Sequence, residues 1–336
     1  MNRIAEAADA VFADLAAERA ARAPVPPAAA PVIGTMTEEE MFRRCVLVKQ
    51  KGSPVVVLPA PGESRRAIVL DMNTFVEVHR ASRRTVTEDG RTSSRALTAV
   101  WRDSSDRLAV ESIVVALGSP RFTLDHNKRP AVNLWTPRAR VEPERWEDRI
   151  QIFLDHIAFL VPAAEERELF LDWLAHAEQH PEVLPHYGFL FVTKAFGTGR
   201  NWVSSVLDRV WPGEVASSLD LHGMLASGFN GAIGGGIRCA VADEVRIGGS
   251  VSAAYELEQR WRQMLTAEYH LINPKYGHQF REKNCVRWLL LSNHEDALRL
   301  SREDRRVAVV ANPAQPRAAD YYVTLYNALS DAAFVD

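Results

Sequence analysis

Cysteine is scarce in this chain of 336 residues: only Cys45, Cys239 and Cys285 occur, and they stand far apart. None has the CxxC or Cys/His spacing of a structural zinc site, and three distant cysteines do not make a disulfide scaffold. No apolar run approaches the ~20 residues of a membrane span, and the first residues lack the apolar core of a signal peptide. These absences predict a protein that works in the reducing cytoplasm and has no membrane partner.

The chain also lacks a strong overall charge, because its formal net charge is only −3. Any contact with nucleic acid therefore has to come from a local basic surface and not from the molecule as a whole. Apolar residues make up 47% of the sequence. The length allows roughly two domains of about 150 residues each, and both can bury a core of their own.

The sequence pattern divides the chain into three segments. In residues 1–37 an amphipathic helix over 3–22 precedes a linker rich in proline and alanine. Residues 38–140 contain the β-like runs CVLVKQ, SPVVVLPA, RRAIVL and ESIVVAL and a helical stretch around NTFVEVHRAS, which predicts a small α+β accessory domain. Its arginines, among them Arg80, Arg83 and Arg84, make either a DNA-facing surface or an ordinary solvated face. Nothing in this segment has catalytic spacing.

Residues 141–336 begin with a helical pattern and then alternate between helices and strands. Helical stripes over 146–160 and 169–174 come first, and three apolar runs follow them, GFLFVT, IRCAVA and CVRWLLLS. Such runs are typical of strands buried on both faces of a sheet. Helical patterns separate the runs, so we predict an α/β fold with a largely parallel sheet, closed by a last helix around 322–329.

The stretch GFLFVTKAFGTGRNWVSSVL, residues 188–207, has the order strand, glycine turn, helix that a phosphate-binding loop requires. It departs from the pattern G-x-x-x-x-G-K-[ST] at three positions, where Lys194, Arg200 and Asn201 replace glycine, lysine and a hydroxyl residue. Arginine keeps the positive charge on a planar, forked head, and asparagine offers an amide oxygen in place of the hydroxyl. Taken alone, a Gly-x-Gly turn of this kind is usually an ordinary loop.

Polar residues also follow the other two apolar runs. Asp243 and Glu244 come directly after IRCAVA, and Asn293 comes directly after CVRWLLLS. Ligands of an open parallel sheet lie beyond the carboxyl ends of its strands, so we predict that these residues and the glycine turn meet at one edge. There Asp243 can hold Mg²⁺, Glu244 can orient or deprotonate an attacking water, and Asn293 can hydrogen-bond that water or a γ-phosphate. Each alone has a simpler interpretation, as a solvated strand end or a turn former.

From about residue 140 to 330 the sequence resembles the helicase part of phage, prophage and plasmid primase-helicases, a family similar to the superfamily 3 helicases of small DNA viruses. The segments that carry the resemblance are FGTGRNW, the DE after IRCAVA, TAEYHLINPKYGHQFREKN, LLLSNHEDAL and the closing DRRVAVV. The resemblance implies an AAA+-like P-loop ATPase core that binds ATP and Mg²⁺ at the subunit boundaries of a ring. The family's ring is a homo-oligomer, usually a hexamer, that translocates on single-stranded DNA in a bacterial host cell.

The resemblance also assigns roles to individual positions. Asn201 stands in the position that normally ligates Mg²⁺, beside Asp243, while Glu244 and Asn293 match the water-activating and sensor residues. Arg305, or with less support Arg306, matches the place from which an arginine reaches a neighbouring subunit's γ-phosphate; the alternative for both is an ion pair with Glu303 or Asp304. The positions that match the nucleotide-holding loop are Lys194, Gly197, Thr198, Gly199, Arg200 and Asn201.

A hairpin is predicted between the Asp-Glu strand and the asparagine strand. Pro274 and Gly277 punctuate the segment HLINPKYGHQFREKN, which places Lys275, Tyr276 and His278 at the tip. The resemblance implies that a hairpin here grips DNA in the ring channel. Lys275 would then pair with a phosphate, and Tyr276 or His278 would stack or hydrogen-bond on a strand without reading its sequence. The alternative is a surface hairpin whose tyrosine packs locally.

Three functions remain open on the sequence. The first is an ATP-driven helicase or translocase for replication of a phage or mobile element. The second is a nucleotide-binding scaffold or loader that assembles on single-stranded DNA without efficient hydrolysis, and the third is a DNA-binding adaptor with a relic ATPase fold. The first 140 residues contain no paired Asp-x-Asp metal motif and no zinc-ligand cluster. Any priming is therefore expected to come from another chain, such as a separate primase or replication protein, or from a missing N-terminal segment.

Overall fold

The computed structural model describes residues 35–49, 52–59, 67–89, 91–137, 142–246, 251–298, 300 and 304–336. The helix predicted over residues 3–22 and the linker after it lie outside these ranges. The chain forms two compact units, residues 1–138 and 139–336. Within the described part of the chain, no helix combines the length and apolar character needed to cross a membrane.

The first unit combines short helices with small sheets. Its helices are α1 (Glu38–Arg44), α2 (Met72–Val78) and α3 (Leu97–Asp103). Its strands are β1 (Val46–Val48), β2 (Val55–Leu58), β3 (Ile68–Asp71), β4 (Arg83–Glu88), β5 (Arg91–Ala96), β6 (Leu108–Val110), β7 (Ser112–Val114), β8 (Phe122–Leu124) and β9 (Pro130–Asn133). One sheet has the order β3-β2-β1-β6 and another the order β7-β9-β8, while β4 and β5 form a separate ribbon.

Local signals in the sequence explain where the first helices begin. Thr37 and Glu40 form a capping box at the start of α1, in which each side chain accepts a hydrogen bond from the other residue's backbone N–H. The Asp71 carboxylate caps α2 in the same way by accepting from the first backbone N–H groups of the helix. Phe75 of α2 and Trp101 of α3 then bury completely in one core with the inner faces of β1 and β2.

The second unit alternates helices and strands, as its sequence pattern predicts. Two helices lead in, α4 (Trp146–Leu160) and α5 (Ala164–Gln179). The strands are β10 (Gly188–Thr193), β11 (Val215–Leu219), β12 (Cys239–Ala242), β13 (Tyr269–Ile272), β14 (Phe280–Lys283), β15 (Arg287–Ser292) and β16 (Val307–Asn312). The remaining helices are α6 (Arg200–Val210), α7 (Leu221–Ser227), α8 (Val251–Thr266), α9 (Ala319–Ala328) and α10 (Ala332–Val335), with a 3-10 turn at Gly231–Ile233.

The central sheet of this unit has the order β11-β12-β15-β10-β16, and every neighbouring pair in it is parallel. The prediction of an α/β fold with a largely parallel sheet is therefore confirmed. β10, β12 and β15 are the three predicted strands, and all of their residues are buried. β11 and β16 extend the sheet on either side and are only partly buried.

The alternation of side chains along the strands builds a core on each face of the sheet. Leu190 and Val192 of β10 point into one core, together with Trp288 of β15. Phe189 and Phe191 point into the other core, which α4 and α5 cover. Because successive residues of a strand face opposite sides, one continuous apolar run serves both cores. This arrangement leaves only the strand ends for polar chemistry.

Candidate functional site

The segments that follow β10, β12 and β15 lie along one edge of the central sheet, because the three strands are parallel. β15 lies between β12 and β10. Asp243 and Glu244 therefore stand on one side of Asn293, and the glycine turn stands on the other. The ends of β12 and β10 are two strand spacings apart, which is about 10 Å. The structure thus brings together the strand-end residues that the sequence singles out, while their chemical roles stay predictions.

The glycine turn at residues 194–199 leads directly into α6. Gly197 and Gly199 have φ angles of 74° and 85°, in the left-handed region that glycine adopts without strain. Gly199 is the N-cap of α6, and no side chain caps the helix, which leaves its first backbone N–H groups without that partner. Thr198 is buried between the two glycines. An uncapped helix start behind a glycine turn is a favourable place for an anion.

A buried histidine that the sequence reasoning missed holds this turn from behind. His156 of α4 is completely buried, and its Nε2 lies 3.1 Å from the carbonyl oxygen of Gly199. Its Nδ1 lies 2.9 Å from the hydroxyl of Tyr321 in α9. Burial lowers the pKa of His156 to about 4, so the ring is neutral, with a proton on Nε2 for Gly199 and a lone pair on Nδ1 for the tyrosine. No signal in the sequence distinguishes this histidine from the apolar stripe around it.

Replacing Gly199 with alanine should destabilise the second unit more than replacing Gly197. Both changes place a Cβ at positive φ, which costs about 1–2 kcal/mol. At Gly199 the new Cβ also falls 2.8 Å from His156 Cε1 and 3.0 Å from Tyr322 Cε1, whereas at Gly197 the nearest atom is Pro316 Cγ at 3.9 Å. The crowding should add about 1–3 kcal/mol, which urea unfolding of the two variants would measure. Equal losses of stability would contradict this account of the turn.

Arg200, at the position of the usual lysine, binds the ends of β10 and β15. Its Nη2 donates to Asn293 Oδ1 at 2.8 Å, and its Nη1 donates to the carbonyl oxygens of Ser292 and, at 3.4 Å, Phe191. Burial lowers the pKa of Arg200, whereas the nearby carboxylates of Asp243 and Glu244 raise it. The guanidinium therefore links Asn293, the predicted sensor, to the start of α6. Contact of Arg200 with a phosphate stays a prediction.

The other polar residues at this edge of the sheet differ in how many side-chain contacts they make. Asn293 Oδ1 also accepts from Thr193 Oγ1 at 3.5 Å, while Asn293 Nδ2 has no partner among the residues that the structure describes. That nitrogen is a donor that can face a ligand. Lys194 makes an ion pair with Glu295 at 2.9 Å, with both side chains mostly in solvent. Asn201 is exposed in the first turn of α6.

Asp243 is half-buried at the end of β12, and its Oδ1 is fully buried without a hydrogen-bond partner in the described residues. Burial raises the pKa of this carboxyl, and the charge of Glu244 raises it further. A hydrogen bond from Ser218 and the charge of Arg200 act in the opposite direction. An unpartnered buried carboxylate oxygen is unfavourable unless something else satisfies it.

Unusual backbone conformations flank Asp243. Glu244 is exposed and has a φ of 51°. Ser218 has a φ of 54° and lies where the pairing of β11 with β12 shifts register between Ala216 and Leu219. Such an irregularity re-aims a side chain, and here it brings the Ser218 hydroxyl to Asp243. Sequence reasoning missed Ser218, because a bulge in a parallel edge strand leaves no periodic signal.

The carboxylate of Asp243 fits a divalent cation that takes its remaining ligands from water and phosphate. No group of three or more His, Cys, Asp or Glu side chains in the described ranges forms a metal cage. Mg²⁺ is commonly held by only one or two carboxylates plus substrate phosphates. The predicted second ligand, Asn201, lies in the neighbouring helix turn and stays a prediction.

Arg305 and Arg306 lie at the opposite edge of the central sheet. They precede β16, whose first residue, Val307, pairs with Gly188 at the start of β10. The six residues of β10 separate this edge from the glycine turn by about 20 Å. Arg306 makes an ion pair with Asp304 at 3.3 Å. Arg305 is exposed and has no ion pair within the described ranges.

The predicted hairpin is present as the antiparallel pair of β13 and β14. Its tip carries Lys275, Tyr276 and His278, all exposed. Tyr276 is 96% exposed and has a φ of 66°, so it does not pack on the body of the unit. The Lys275 ammonium lies 5.2 Å from the centre of the Tyr276 ring. The alternative of a locally packed tyrosine does not describe this tip.

A glycine-rich segment anchors the base of the hairpin. The Asn273 backbone N–H donates to Asn230 Oδ1 at 2.6 Å, and Asn230 Nδ2 donates to the carbonyl oxygen of Leu271 at 3.1 Å. The Glu282 carboxylate accepts from the backbone N–H groups of Gly235 and Gly236 at 2.7 and 2.6 Å. The tip therefore projects from a fixed base.

Comparison with known proteins gives a likeness of fold. A family model described as a family of unknown function (DUF5906) matches residues 191–306. No curated protein sequence matches the chain. The apo structure of the NrS-1 C-terminal region is 16% identical with a TM-score of 0.61, and the match covers 87% of this chain and 65% of that one. Its A form gives 15% identity, the same TM-score of 0.61, and 88% and 66% coverage.

A structure of JCV helicase bound to a small acetamide compound gives a weaker match, with 11% identity, a TM-score of 0.38, and 56% and 53% coverage. The chain thus spans just under two thirds of the length of the NrS-1 structures. At 16% and 15% identity, the likeness between this chain and the two NrS-1 structures is one of fold alone.

Proposed function

We propose that the second unit binds ATP with Mg²⁺ at the strand-end edge and hydrolyses it to move along single-stranded DNA during replication of a phage or mobile element. The observation that carries this proposal is the buried, unpartnered Oδ1 of Asp243, beside Glu244 and across Asn293 from an uncapped helix start. A P-loop NTPase needs a cation ligand, a residue that handles water, and backbone N–H groups for phosphates along one sheet edge. These residues supply all three.

The residues divide the work of hydrolysis as follows. Backbone N–H groups of the turn from Gly197 to Gly199 and of the start of α6 bind the phosphates. Asp243 holds Mg²⁺, which when bound neutralises charge that develops on the phosphate oxygens. Glu244 orients the attacking water or accepts its proton, and Asn293 Nδ2 donates a hydrogen bond to the water or the γ-phosphate.

Arg200 and Asn201 decide how fast the site works. Arg200 has to leave Asn293 in order to reach a phosphate, since its Nη2 is bound to that side chain. A guanidinium is larger and more directional than the ammonium it replaces. Asn201 offers an amide oxygen to the cation from a longer side chain than serine or threonine. The second candidate function, a nucleotide-dependent scaffold or loader with little hydrolysis, follows if Arg200 stays on the strand ends.

Assembly into a ring, with a hexamer as the expected form, is part of the same proposal. Arg305 lies about 20 Å from the glycine turn of its own chain, so it serves a phosphate site only when a second copy places it there. Its exposure and its lack of an ion pair among the described residues fit that use. A separate primase would supply the primer.

The hairpin provides the contact with single-stranded DNA. A strand is held without sequence preference by a cation on its phosphates and an aromatic face for its bases. Lys275 and Tyr276 offer these two groups side by side at an exposed tip on a fixed base.

ATP turnover and single-strand binding, measured on the same samples, test this function. Wild type should hydrolyse ATP faster when single-stranded DNA is added. Lys275→Ala should abolish the stimulation and make the dependence of log affinity on log salt shallower by about 0.7 for each lost phosphate contact. Lys283→Ala is the matched control, because Lys283 is also exposed but lies at the end of β14.

Different results separate the candidate functions. Stimulated turnover in wild type and in Lys283→Ala alone supports the translocase. ATP-dependent assembly on DNA with background turnover supports the scaffold. If Lys275→Ala binds single strands with unchanged affinity and salt dependence, the hairpin does not hold DNA.

A further inference from the structure

None of the described side chains of the β4–β5 ribbon in the first unit belongs to a core. Every residue of the ribbon from Arg83 to Arg95 whose side chain the structure describes is exposed. An antiparallel pair that contributes to stability normally packs one face on a core, and an isolated pair is only marginally stable in water. Here the described side chains of both faces stand in solvent. Packing on a core therefore does not explain the presence of the ribbon.

The charges of the ribbon point to an anionic partner. Arg84 and Arg95 stand directly opposite each other in the ladder, on the same face. Like charges in that position destabilise a sheet. Arg84 relieves part of this repulsion through an ion pair with Glu38 at 2.8 Å. Arg91, on the same face opposite Glu88, and Arg95 make no ion pair or side-chain hydrogen bond with any side chain that the structure describes.

The opposite face of the ribbon carries hydroxyl groups. Thr87 and Thr92 face each other with their oxygens 3.2 Å apart, and Arg83 Nε donates to Ser94 Oγ at 2.7 Å. These side chains satisfy one another, which stiffens the ribbon. The other face carries three arginines, Arg84, Arg91 and Arg95, against one carboxylate, Glu88, and is therefore net positive.

We propose that the ribbon binds duplex DNA in the major groove, with Arg84, Arg91 and Arg95 toward the DNA. The major groove of B-form DNA, about 12 Å wide, admits a two-stranded β-ribbon, and arginine binds both phosphates and guanine edges there. The major groove of duplex RNA is too narrow for this. Single strands are gripped largely by aromatic stacking, and residues 83–96 contain no aromatic side chain. This goes beyond the proposed function, which places single-stranded DNA on the second unit.

Fluorescence anisotropy of the full chain with labelled nucleic acids of about 20 base pairs, at several salt concentrations, tests the proposal. The double variant Arg91→Ser/Arg95→Ser should lose about tenfold or more in affinity for duplex DNA, with a log affinity–log salt slope shallower by about 2. The double variant Lys49→Ser/Arg102→Ser is the matched control. Both side chains are exposed in the same unit outside the ribbon, and Arg102 belongs to a surface ion pair with Asp103.

The control should bind duplex DNA as wild type does, and affinity for single-stranded DNA should not change in either variant. Wild type should prefer duplex DNA to duplex RNA. Unchanged duplex affinity in Arg91→Ser/Arg95→Ser would overturn the proposal, as would an equal loss on single strands or equal binding of duplex RNA. Both variants should fold as wild type does, because all four substituted side chains are on the surface. Circular dichroism spectra of the two variants check this.

Discussion

Arg305→Ala should lower ATP turnover by about 10³–10⁵-fold, the range over which an arginine supplied across a boundary accelerates phosphoryl transfer. The reason is geometric. Arg305 lies at the amino edge of the central sheet, and the glycine turn of its own chain lies at the carboxyl edge. Its guanidinium can stabilise transition-state charge only in a neighbouring copy. Nucleotide binding by the variant should persist, because its own phosphate loop is intact.

Arg306→Ala is the control for this change. Arg306 has an adjacent position but pairs with Asp304, which also makes an ion pair with Arg262 at 3.3 Å. Its loss should alter stability modestly and turnover little. If Arg306→Ala is the inactive variant and Arg305→Ala is active, the assignment within the pair is wrong.

Mixing variants tests whether the arginine acts across a boundary. Arg305→Ala and Glu244→Gln should each be inactive alone. When they are mixed and reassembled, some boundaries join an intact Glu244 to an intact Arg305, and turnover should reappear. Absence of recovery in mixed assemblies of confirmed composition would contradict action in trans.

Glu244→Gln should lower ATP turnover by about 10²–10⁴-fold, the usual contribution of a group that accepts or directs a proton. Glutamine keeps the shape and can still hydrogen-bond a water, but it cannot accept a proton. Glu244 is exposed and Asp243 remains beside it, so folding and binding of Mg²⁺ with ATP should be nearly unchanged. Turnover by phosphate release and affinity by titration calorimetry measure the two effects separately.

Glu295→Gln is the matched control, because Glu295 is an exposed carboxylate near the same loop whose partner is Lys194. It should retain turnover. Equal turnover in wild type and Glu244→Gln, both well above background, would mean that another residue handles the water. Equal turnover at background would favour the scaffold function.

The buried strands were the most predictable part of the fold. β10, β12 and β15 are buried on both faces, so their apolar runs are continuous and their polar successors stand out. β11 was not predicted, because its sequence VASSL is short, polar and irregular in register. The strands β4 and β5 were not predicted either, because they lack an apolar face and so show no alternation of apolar and polar residues.

The candidate site was predictable in its position and less so in its contacts. Parallel strands place their carboxyl ends on one edge, so the closeness of Asp243, Glu244 and Asn293 follows from the order of the strands. The bond from Arg200 to Asn293 does not, because it depends on the path of a long side chain between two strand ends. The hydrogen bond from His156 to the carbonyl oxygen of Gly199 could not be predicted either, because the two residues are far apart in sequence.

The most direct test of the account is a structure of the full chain with a non-hydrolysable ATP analogue, Mg²⁺ and single-stranded DNA. We expect the triphosphate on the backbone of Gly197 to Gly199, the metal against Asp243, and Arg305 of a neighbouring copy at the γ-phosphate. Lys275 and Tyr276 should contact the strand. A nucleotide bound elsewhere, or no nucleotide at a concentration that saturates related ATPases, with Arg200 still on Asn293, would contradict the central claim.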